Sequence, residues 1–375
     1  MATHCWPGRA SIYVIGAGIL SAAFAMSATA FMAFRHPPVT PILPVAITAS
    51  TVAANGDMNP HGVAFVPASF PAGGILSASD VLVSDFANKD GKAGLGVSLV
   101  RIQPTGQQST FFQGNGVGLA AGLKVLRAGF VLVASLPTLD GTTATVQQGS
   151  LLIIDKNAAL VASIADPELL AGPWELTVLD DGDTALVFVA NVLSGTVTRL
   201  ALTMTRTASG PTVTAGKLTR IASGYVHRLE PEATAIGPAG LAYDPRHDTL
   251  YVASTGDNTI YKVANAGSTA VDNGKGTVSF NDPVHLHGPS QLVFGPNGHL
   301  LATNSSGVLA GPSDASDIVE FTDHGRFVSQ QTVATQSGSG FGLHFTRDES
   351  GVRRLAWLND SGNTVTIVRF LPPDW

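Results

Sequence analysis

The stretch 237–263, GPAGLAYDPRHDTLYVASTGDNTIYKV, decides the fold of this chain. It contains three short apolar runs, separated by a charged turn at 244–248 and a Gly-Asp-Asn turn at 256–258. Short apolar or alternating runs bounded by such turn residues are typical of consecutive antiparallel strands. The stretch therefore predicts three strands, and its recurrence elsewhere decides whether they form one hairpin or one copy of a repeat.

All three strands recur along the chain, in units separated by about 50 to 65 residues, a spacing typical of propeller blades. The second strand, 249–255, has counterparts at 80–86, 130–136, 185–191, 299–305 and 354–360. The third strands are at 97–102, 150–155, 195–202, 258–263, 317–321 and 363–370. The first strands, many with Gly or Pro at their start, are at 61–67, 116–122, 172–179, 237–244, 288–295 and 340–346. Six units are therefore predicted.

A fourth, outer strand follows five of the units, for example at 109–114 and 160–165. The sixth unit lacks one, whereas ILPVAITAS (42–50) precedes the first unit without an inner partner. Pairing 42–50 with the last unit would close the ring and remove an exposed sheet edge. The prediction is an all-β, six-bladed β-propeller of four-stranded antiparallel blades over residues 42–375, closed by this N-terminal strand.

The N-terminal residues have the pattern of a targeting segment. Residues 11–34 carry no charge, follow Arg9, and include the small-residue run Ala28-Thr29-Ala30. This pattern predicts a hydrophobic helix within 1–34 that is either a signal peptide cleaved after Ala30 or a transmembrane anchor. A Pro-rich spacer at 35–41 follows. Both alternatives place the propeller in the periplasm or outside the cell, anchored to the membrane if residues 1–30 are not cleaved.

Composition limits the partners. Only 13% of the residues are charged and the formal net charge is −6. No Lys/Arg-rich run is present, which argues against nucleic acid or an anionic membrane surface as a partner. The membrane is expected to be contacted only through residues 11–34, and the chain is expected to be a monomer. The single cysteine, Cys5, excludes an internal disulfide.

Once the strands of the six units are aligned, two of the units show a resemblance to a known family. Residues 237–263 and HGPSQLVFGPNGHLLATNSSG (287–307) resemble the NHL-repeat propellers, which are related to the gluconolactonase-like propellers. The gluconolactonase-like resemblance implies a divalent metal on the axis, held by Glu, Asn and Asp. The position that matches the family's Asn is Ala239 here, and the inner strand at 289–295 lacks the expected Asp. A methyl group cannot ligate a hard cation, which argues against a lactonase.

A second NHL-like family, the peptide-amidating lyases, places histidines from alternate blades around a zinc ion. The positions at which such ligands would stand hold His61 in the first unit and His285 and His287 in the fifth, but Pro173-Trp174 in the third. His61 and His287 are therefore candidate metal ligands, and the candidate ligand-binding residues are His61, Trp174, His287 and His344. The alternative is that the histidines hydrogen-bond backbone or water at the mouth of the channel.

Two classes of function remain open from the sequence. The first is an exported, non-enzymatic binding or scaffold module that recognises a small molecule or another exported protein through loops on a propeller face. The alternative is a metal-assisted lyase or hydrolase with a His-lined site at the channel mouth. Whether the chain is an enzyme is left open, and the residues firmly imply no cofactor, although a divalent metal would suit the histidines.

Overall fold

The structure, a computed structural model, describes residues 45–207, 210–231, 234–304, 315–348 and 351–370. The predicted segments 1–34 and 35–41, with the N-terminal helix, lie outside the described residues. Within these ranges, no helix is long and apolar enough to cross a membrane. A single 3-10 turn, Thr143–Thr145, is the helical element of the described chain.

The strands form six four-stranded antiparallel sheets in chain order. Blade I contains β2 (Met58–Phe65), β3 (Val81–Ala87), β4 (Ser98–Ile102) and β5 (Gln108–Gln113). Blade II contains β6 (Leu119–Val125), β7 (Phe130–Ser135), β8 (Ser150–Asp155) and β9 (Leu160–Ile164). Blade III contains β10 (Pro173–Asp180), β11 (Thr184–Asn191), β12 (Thr196–Thr207) and β13 (Gly210–Ala222).

The second half of the chain continues the pattern. Blade IV contains β16 (Pro238–Asp244), β17 (Thr249–Ser254), β18 (Thr259–Ala264) and β19 (Thr277–Phe280). Blade V contains β20 (Pro289–Phe294), β21 (Leu300–Asn304), β22 (Ser316–Phe321) and β23 (Phe327–Ala334). Blade VI contains β24 (Gly340–Arg347), β25 (Arg353–Asn359), β26 (Thr364–Phe370) and β1 (Val45–Ser50). The sequence had not indicated the small hairpin β14 (Arg228–Glu230) and β15 (Thr234–Ile236) between blades III and IV.

The N-terminal strand closes the ring as predicted. β1 pairs antiparallel with β26, with Ile47 opposite Ile367 and Thr48 opposite Thr366. The inner strand of each blade contacts the inner strand of the next, and β24 contacts β2. The chain therefore forms a six-bladed β-propeller, with the described strands arranged around one axis.

Apolar side chains fill the spaces between neighbouring blades. Val63 and Phe65 of blade I pack with Ala356 and Leu358 of blade VI, and comparable clusters join blades I to II, II to III, III to IV and IV to V. Side chains alternate between the two faces of a strand, so each blade contributes to the cluster on either side. Burial of these faces is the main contribution to the stability of the propeller, whose described residues contain no disulfide.

Each of the six inner strands has a register irregularity close to its first residue. There the inner strands approach closely: a Cβ atom on Gly62 would lie 2.4 Å from the Ala121 carbonyl oxygen, and one on Gly240 would lie 2.4 Å from the Gln291 carbonyl carbon. Such distances leave no room for a side chain, so the glycines are required by the close approach of neighbouring backbones. We call the face where the inner strands begin the upper face, and the face where they end the lower face.

Candidate functional site

The register irregularities bring aromatic side chains together at the upper end of the axis. His61, Trp174 and Phe341 are each among the residues that the inner strand leaves out of regular pairing. A bulge re-aims the unpaired side chain, which is the reason these residues leave the alternating pattern of their strands. Together with Phe86, at the end of β3, they form a group that we call the aromatic cluster.

The aromatic cluster is tightly packed. The His61 ring stacks between Phe341, at 4.1 Å between centroids, and Phe86, at 4.6 Å. Trp174 meets His61 edge-on at 5.7 Å and Phe86 at 5.3 Å. These separations are those of favourable stacked and edge-to-face pairs. Only 5% of His61 and 4% of Trp174 is exposed.

Burial controls the charge of His61. It lowers the pKa of the imidazole to about 3, so the ring is neutral at physiological pH. The buried Nδ1 atom has no hydrogen-bond partner within the described residues. A neutral imidazole with an unpartnered nitrogen can ligate a metal or accept a hydrogen bond in the plane of the ring, but here that nitrogen is buried.

A buried polar network lies directly beside the aromatic cluster. Glu175, the residue after Trp174, receives hydrogen bonds from Gln291 Nε2 at 2.7 Å and from the Leu176 amide at 2.9 Å. The Lys124 Nζ atom lies 3.4 Å from Glu175 Oε1, the oxygen that also accepts the Leu176 amide, whereas Gln291 donates to Oε2. Burial raises the pKa of Glu175, and Lys124 and the hydrogen bonds act against that rise. This Lys124–Glu175–Gln291 network joins blades II, III and V across blade IV.

The residues on the axis do not fit the metal that the gluconolactonase-like resemblance implies. Both oxygens of Glu175 are occupied by an ammonium or amide group, and the methyl of Ala239 is buried. No group of three or more His, Cys, Asp or Glu side chains in the described ranges could hold a metal ion. A hard cation requires several oxygen ligands, which these positions do not supply.

The four candidate residues from the sequence do not form one group. His61 and Trp174 are in contact. His287 lies on the upper face, where its amide donates to Asn304 Oδ1 and its Nε2 lies 3.1 Å from the Val284 carbonyl oxygen. Both of these contacts are with residues of blade V or of the loop that leads into it.

His344 lies further down the axis. Its Nδ1 accepts a hydrogen bond from the Phe65 amide at 3.0 Å, and Phe65 is four residues beyond His61 in β2. At about 3.3 Å per residue, this places His344 about 13 Å from the level of His61. Burial, assisted by Lys124, lowers the pKa of His344 to about 3. His344 therefore belongs to the lower part of the axis.

A buried carboxyl group on the upper side of blade I was missed in the sequence. Asp85 is fully buried, and neither carboxyl oxygen has a hydrogen-bond partner within the described chain. Burial, and secondarily Asp57, raises its pKa to about 9, so the group is protonated at neutral pH. Asp85 pairs with Pro60 at the start of β2, and the corresponding residues in blades III and V are Asn191 and Asn304.

Part of this site could have been read from the aligned inner strands. Blades I, IV and VI have Gly62, Gly240 and Gly342 at the crowded position, whereas blades III and V have Glu175 and Gln291 there. Two long polar residues at a position otherwise held by glycine are a signal of a specific contact. Phe86 and Phe341 gave no such signal, because aromatic residues near strand ends are ordinarily part of the core.

Comparison with known proteins supports the fold. No known sequence family and no curated protein matches this chain. Among solved structures it is similar to a gluconolactonase from Xanthomonas campestris, with 15% identity over 87% of this chain and 89% of that chain and a TM-score of 0.53. It is also similar to regucalcin, a calcium-binding protein from Agrobacterium tumefaciens, with 14% identity over 85% and 93% and a TM-score of 0.51. These likenesses concern the propeller fold, and the narrower NHL-repeat assignment stays a prediction.

Proposed function

We propose that this chain is an exported, monomeric, non-enzymatic binding module. The observation that carries the proposal is the packing of the upper end of the axis, where His61 is enclosed between Phe86 and Phe341. The neighbouring carboxylate, Glu175, is bonded to Lys124 and Gln291. A catalytic base must reach a substrate and a metal ligand must reach a metal ion, and these groups are instead in contact with one another.

The proposal extends to recognition through the loops. A propeller axis filled by side chains leaves its two faces and the clefts between blades as the places for a ligand or partner. The uncharged segment 11–34 supports export, because it matches the pattern of a signal peptide or anchor. A reporter that is active only outside the cytoplasm, fused after residue 38, tests export: activity is expected, and a silent fusion with the protein present contradicts it.

One observation favours a second candidate, a metal-assisted lyase or hydrolase. The neutral imidazole of His61 has an unpartnered Nδ1 atom, and a neutral ring nitrogen is a common zinc ligand. The cluster would have to open for a metal to reach this atom, because the ring is 5% exposed.

The two candidates are separated by metal content and turnover. The full-length protein is incubated with zinc or calcium, dialysed and analysed for bound metal, and hydrolysis of glucono-δ-lactone is followed with and without metal. We expect substoichiometric metal and no rate above the protein-free control. Stoichiometric metal that is lost in His61→Phe but kept in His324→Phe, an exposed histidine, would overturn the binding-module proposal in favour of the enzyme.

A further inference from the structure

The lower face carries two contiguous cavities between blades VI, I and II. Their volumes are about 590 and 410 Å³, and both are lined by Phe65, Ser79, Asp348 and Arg354. Small-molecule sites commonly have volumes of about 300 to 1,000 Å³. We call the combined space the basic cleft.

The floor of the basic cleft is apolar. The larger cavity is lined by Ile47 and Ile367, which face each other in the closing strand pair, and by Val81 and Val352. Phe65, at the lower end of β2, separates the cleft from the axis, where His344 binds its amide. An apolar ligand body placed on this floor would be removed from water, which is favourable in proportion to the area covered.

The rim of the cleft is cationic. Its charged lining consists of Arg127, Arg347, Arg354 and Arg369 with one carboxylate, Asp348, which leaves a local formal charge of +3. The whole chain has a formal net charge of −6, so this concentration of guanidinium groups runs against the overall balance. A cavity lined by one sign of charge attracts ligands of the opposite sign.

Three of these arginines have their guanidinium groups available. Arg127, Arg347 and Arg369 are exposed and form no salt bridge with any other residue in the described part of the chain. The Asp180 carboxylate accepts a hydrogen bond from the backbone amide of Arg127, at 2.7 Å. A planar guanidinium binds carboxylate or phosphate oxygens in a bidentate manner.

Arg354 is held in place between the two cavities. Its Nη2 donates to Ser79 Oγ at 2.9 Å and lies 3.3 Å from Asp348 Oδ2. The guanidinium also lies over the Phe65 ring, 5.7 Å from its centroid. These contacts fix a charge at the boundary between the apolar floor and the cationic rim.

We propose that the basic cleft binds a small anionic amphiphile, with its carboxylate or phosphate head at Arg347 and Arg127 and its apolar body on the floor. The inference rests on the proposed binding function and names the chemistry of its ligand. It requires an anionic head, because the rim has an excess of three positive charges. It requires an apolar body, because Ile47, Val81, Val352 and Ile367 line the larger cavity.

The test is calorimetric titration of the full-length protein with octanoate, octyl phosphate, octanol and octyltrimethylammonium, each below its micelle concentration. At least one anion is expected to bind at least tenfold more tightly than octanol and the cation. Comparison of octanoate with octyl phosphate distinguishes the two head groups. Affinity for the better anion should rise about threefold to fourfold per methylene from hexyl to octyl.

The double variant Arg127→Gln/Arg347→Gln should weaken binding of the better anion at least tenfold. The matched control is Arg246→Gln/Arg326→Gln, which removes two exposed charges from a shallow cavity between blades IV and V and should leave affinity unchanged. Because all four of these arginines are exposed, both double variants should keep the wild-type near-ultraviolet spectrum.

The inference is overturned if neither anion binds, if octanol binds as tightly as the anions, or if the two double variants behave alike. None of these results bears on the metal and turnover measurements. Failure of the ligand assignment is therefore distinguishable from failure of the binding-module proposal.

Discussion

At the upper end of the axis the side chains are buried and in contact with one another, whereas the basic cleft on the lower face is open and cationic. His61 is neutral and enclosed by two rings, and Asp85 is protonated. Arg127, Arg347 and Arg369 are exposed around the cleft. Two inner strands, β2 and β24, contribute residues to both regions, so the difference comes from local backbone and loops.

The comparison of the two regions shows that tight packing and open space occur at opposite ends of the same strands. At the upper end the bulges and glycines let neighbouring inner strands touch, and the bulged residues turn into the remaining space. At the lower end, residues of the 66–80 connection of blade I line the cleft together with Asp348 and Val352 of blade VI. The upper end is therefore characterised by tightly packed side chains, and the lower end by accessible charged groups.

The largest expected effect tests whether the upper end depends on its buried ion pair. Lys124→Met leaves the Glu175 carboxylate without its cation, and breaking such a pair should lower the free energy of unfolding by about 3 kcal/mol. Urea unfolding of the full-length protein measures this. Adding Glu175→Gln should recover at least half of the loss, and the exposed Lys89→Met is the control. A loss no greater than that of Lys89→Met would show that the pair is not structural.

The second prediction concerns the enclosed imidazole. The unfolded chain takes up a proton on His61 below about pH 6.5, whereas the folded protein does so only near pH 3. The contribution of this residue to stability is therefore lost as the pH falls from 7 towards 3. His61→Phe keeps an aromatic ring in the stack and removes that loss. When the pH is lowered from 7 to 5, the free energy of unfolding of the wild type should fall by about 2 kcal/mol more than that of the variant. Urea unfolding at the two pH values measures this difference.

The same scan with His324→Phe, at an exposed position, should show no such gain. If His61→Phe and wild type have the same dependence on pH, the imidazole is not buried in its neutral form and the contrast between the two regions is weaker than described.

The third prediction concerns Asp85, whose contribution to stability changes with pH in the opposite direction to that of His61. The folded protein keeps Asp85 protonated up to about pH 9, whereas the unfolded chain ionises it near pH 4, so this carboxyl group lowers stability as the pH rises between these values. Asp85→Asn removes this cost and should raise the free energy of unfolding at pH 8 by more than about 1 kcal/mol. Asn already occupies the corresponding position in blades III and V.

Denaturant unfolding at pH 5 and pH 8 measures this change, with the exposed Asp90→Asn as the control. A destabilised Asp85→Asn at pH 8 would show that the carboxylate has a partner or a role that its buried surroundings conceal.

The smallest expected effect on the free energy of unfolding concerns the arginines of the lower face. Arg347 is exposed and forms no salt bridge within the described residues, so Arg347→Gln should change the free energy of unfolding by less than about 0.5 kcal/mol. Arg354→Gln should cost more, because it breaks the contacts with Ser79 and Asp348. A loss in Arg347→Gln as large as about 1 kcal/mol or more, measured by urea unfolding, would mean that Arg347 serves folding and is not free for a ligand.

Much of the architecture followed from local sequence pattern. The six three-strand units, the outer strands and the pairing of 42–50 with blade VI were all predicted, and β1 pairs with β26 as expected. Alternation of apolar and polar residues has a period of two and is written directly into each strand. Turn residues between the strands then restrict the blade boundaries to a few positions.

The site was predicted only in part. His61 and Trp174 were selected because they stand at the start of inner strands, and they are in contact. His344 was placed with them, yet its hydrogen bond to Phe65 puts it further down the axis. Phe86, Phe341 and the Lys124–Glu175–Gln291 network come from five different strands, and no local pattern links them.

The sequence by itself therefore determined the repeat, the number of blades and the closure of the ring, because these depend on short-range periodicity and on the count of units. Only the tertiary structure decided which side chains meet on the axis and where charge gathers on the lower face. The physical reason is that a bulge forms where neighbouring inner strands collide, and that collision involves Gly62 with Ala121 and Gly240 with Gln291, residues of different blades. Contacts of this kind arise only when all six sheets are packed around one axis.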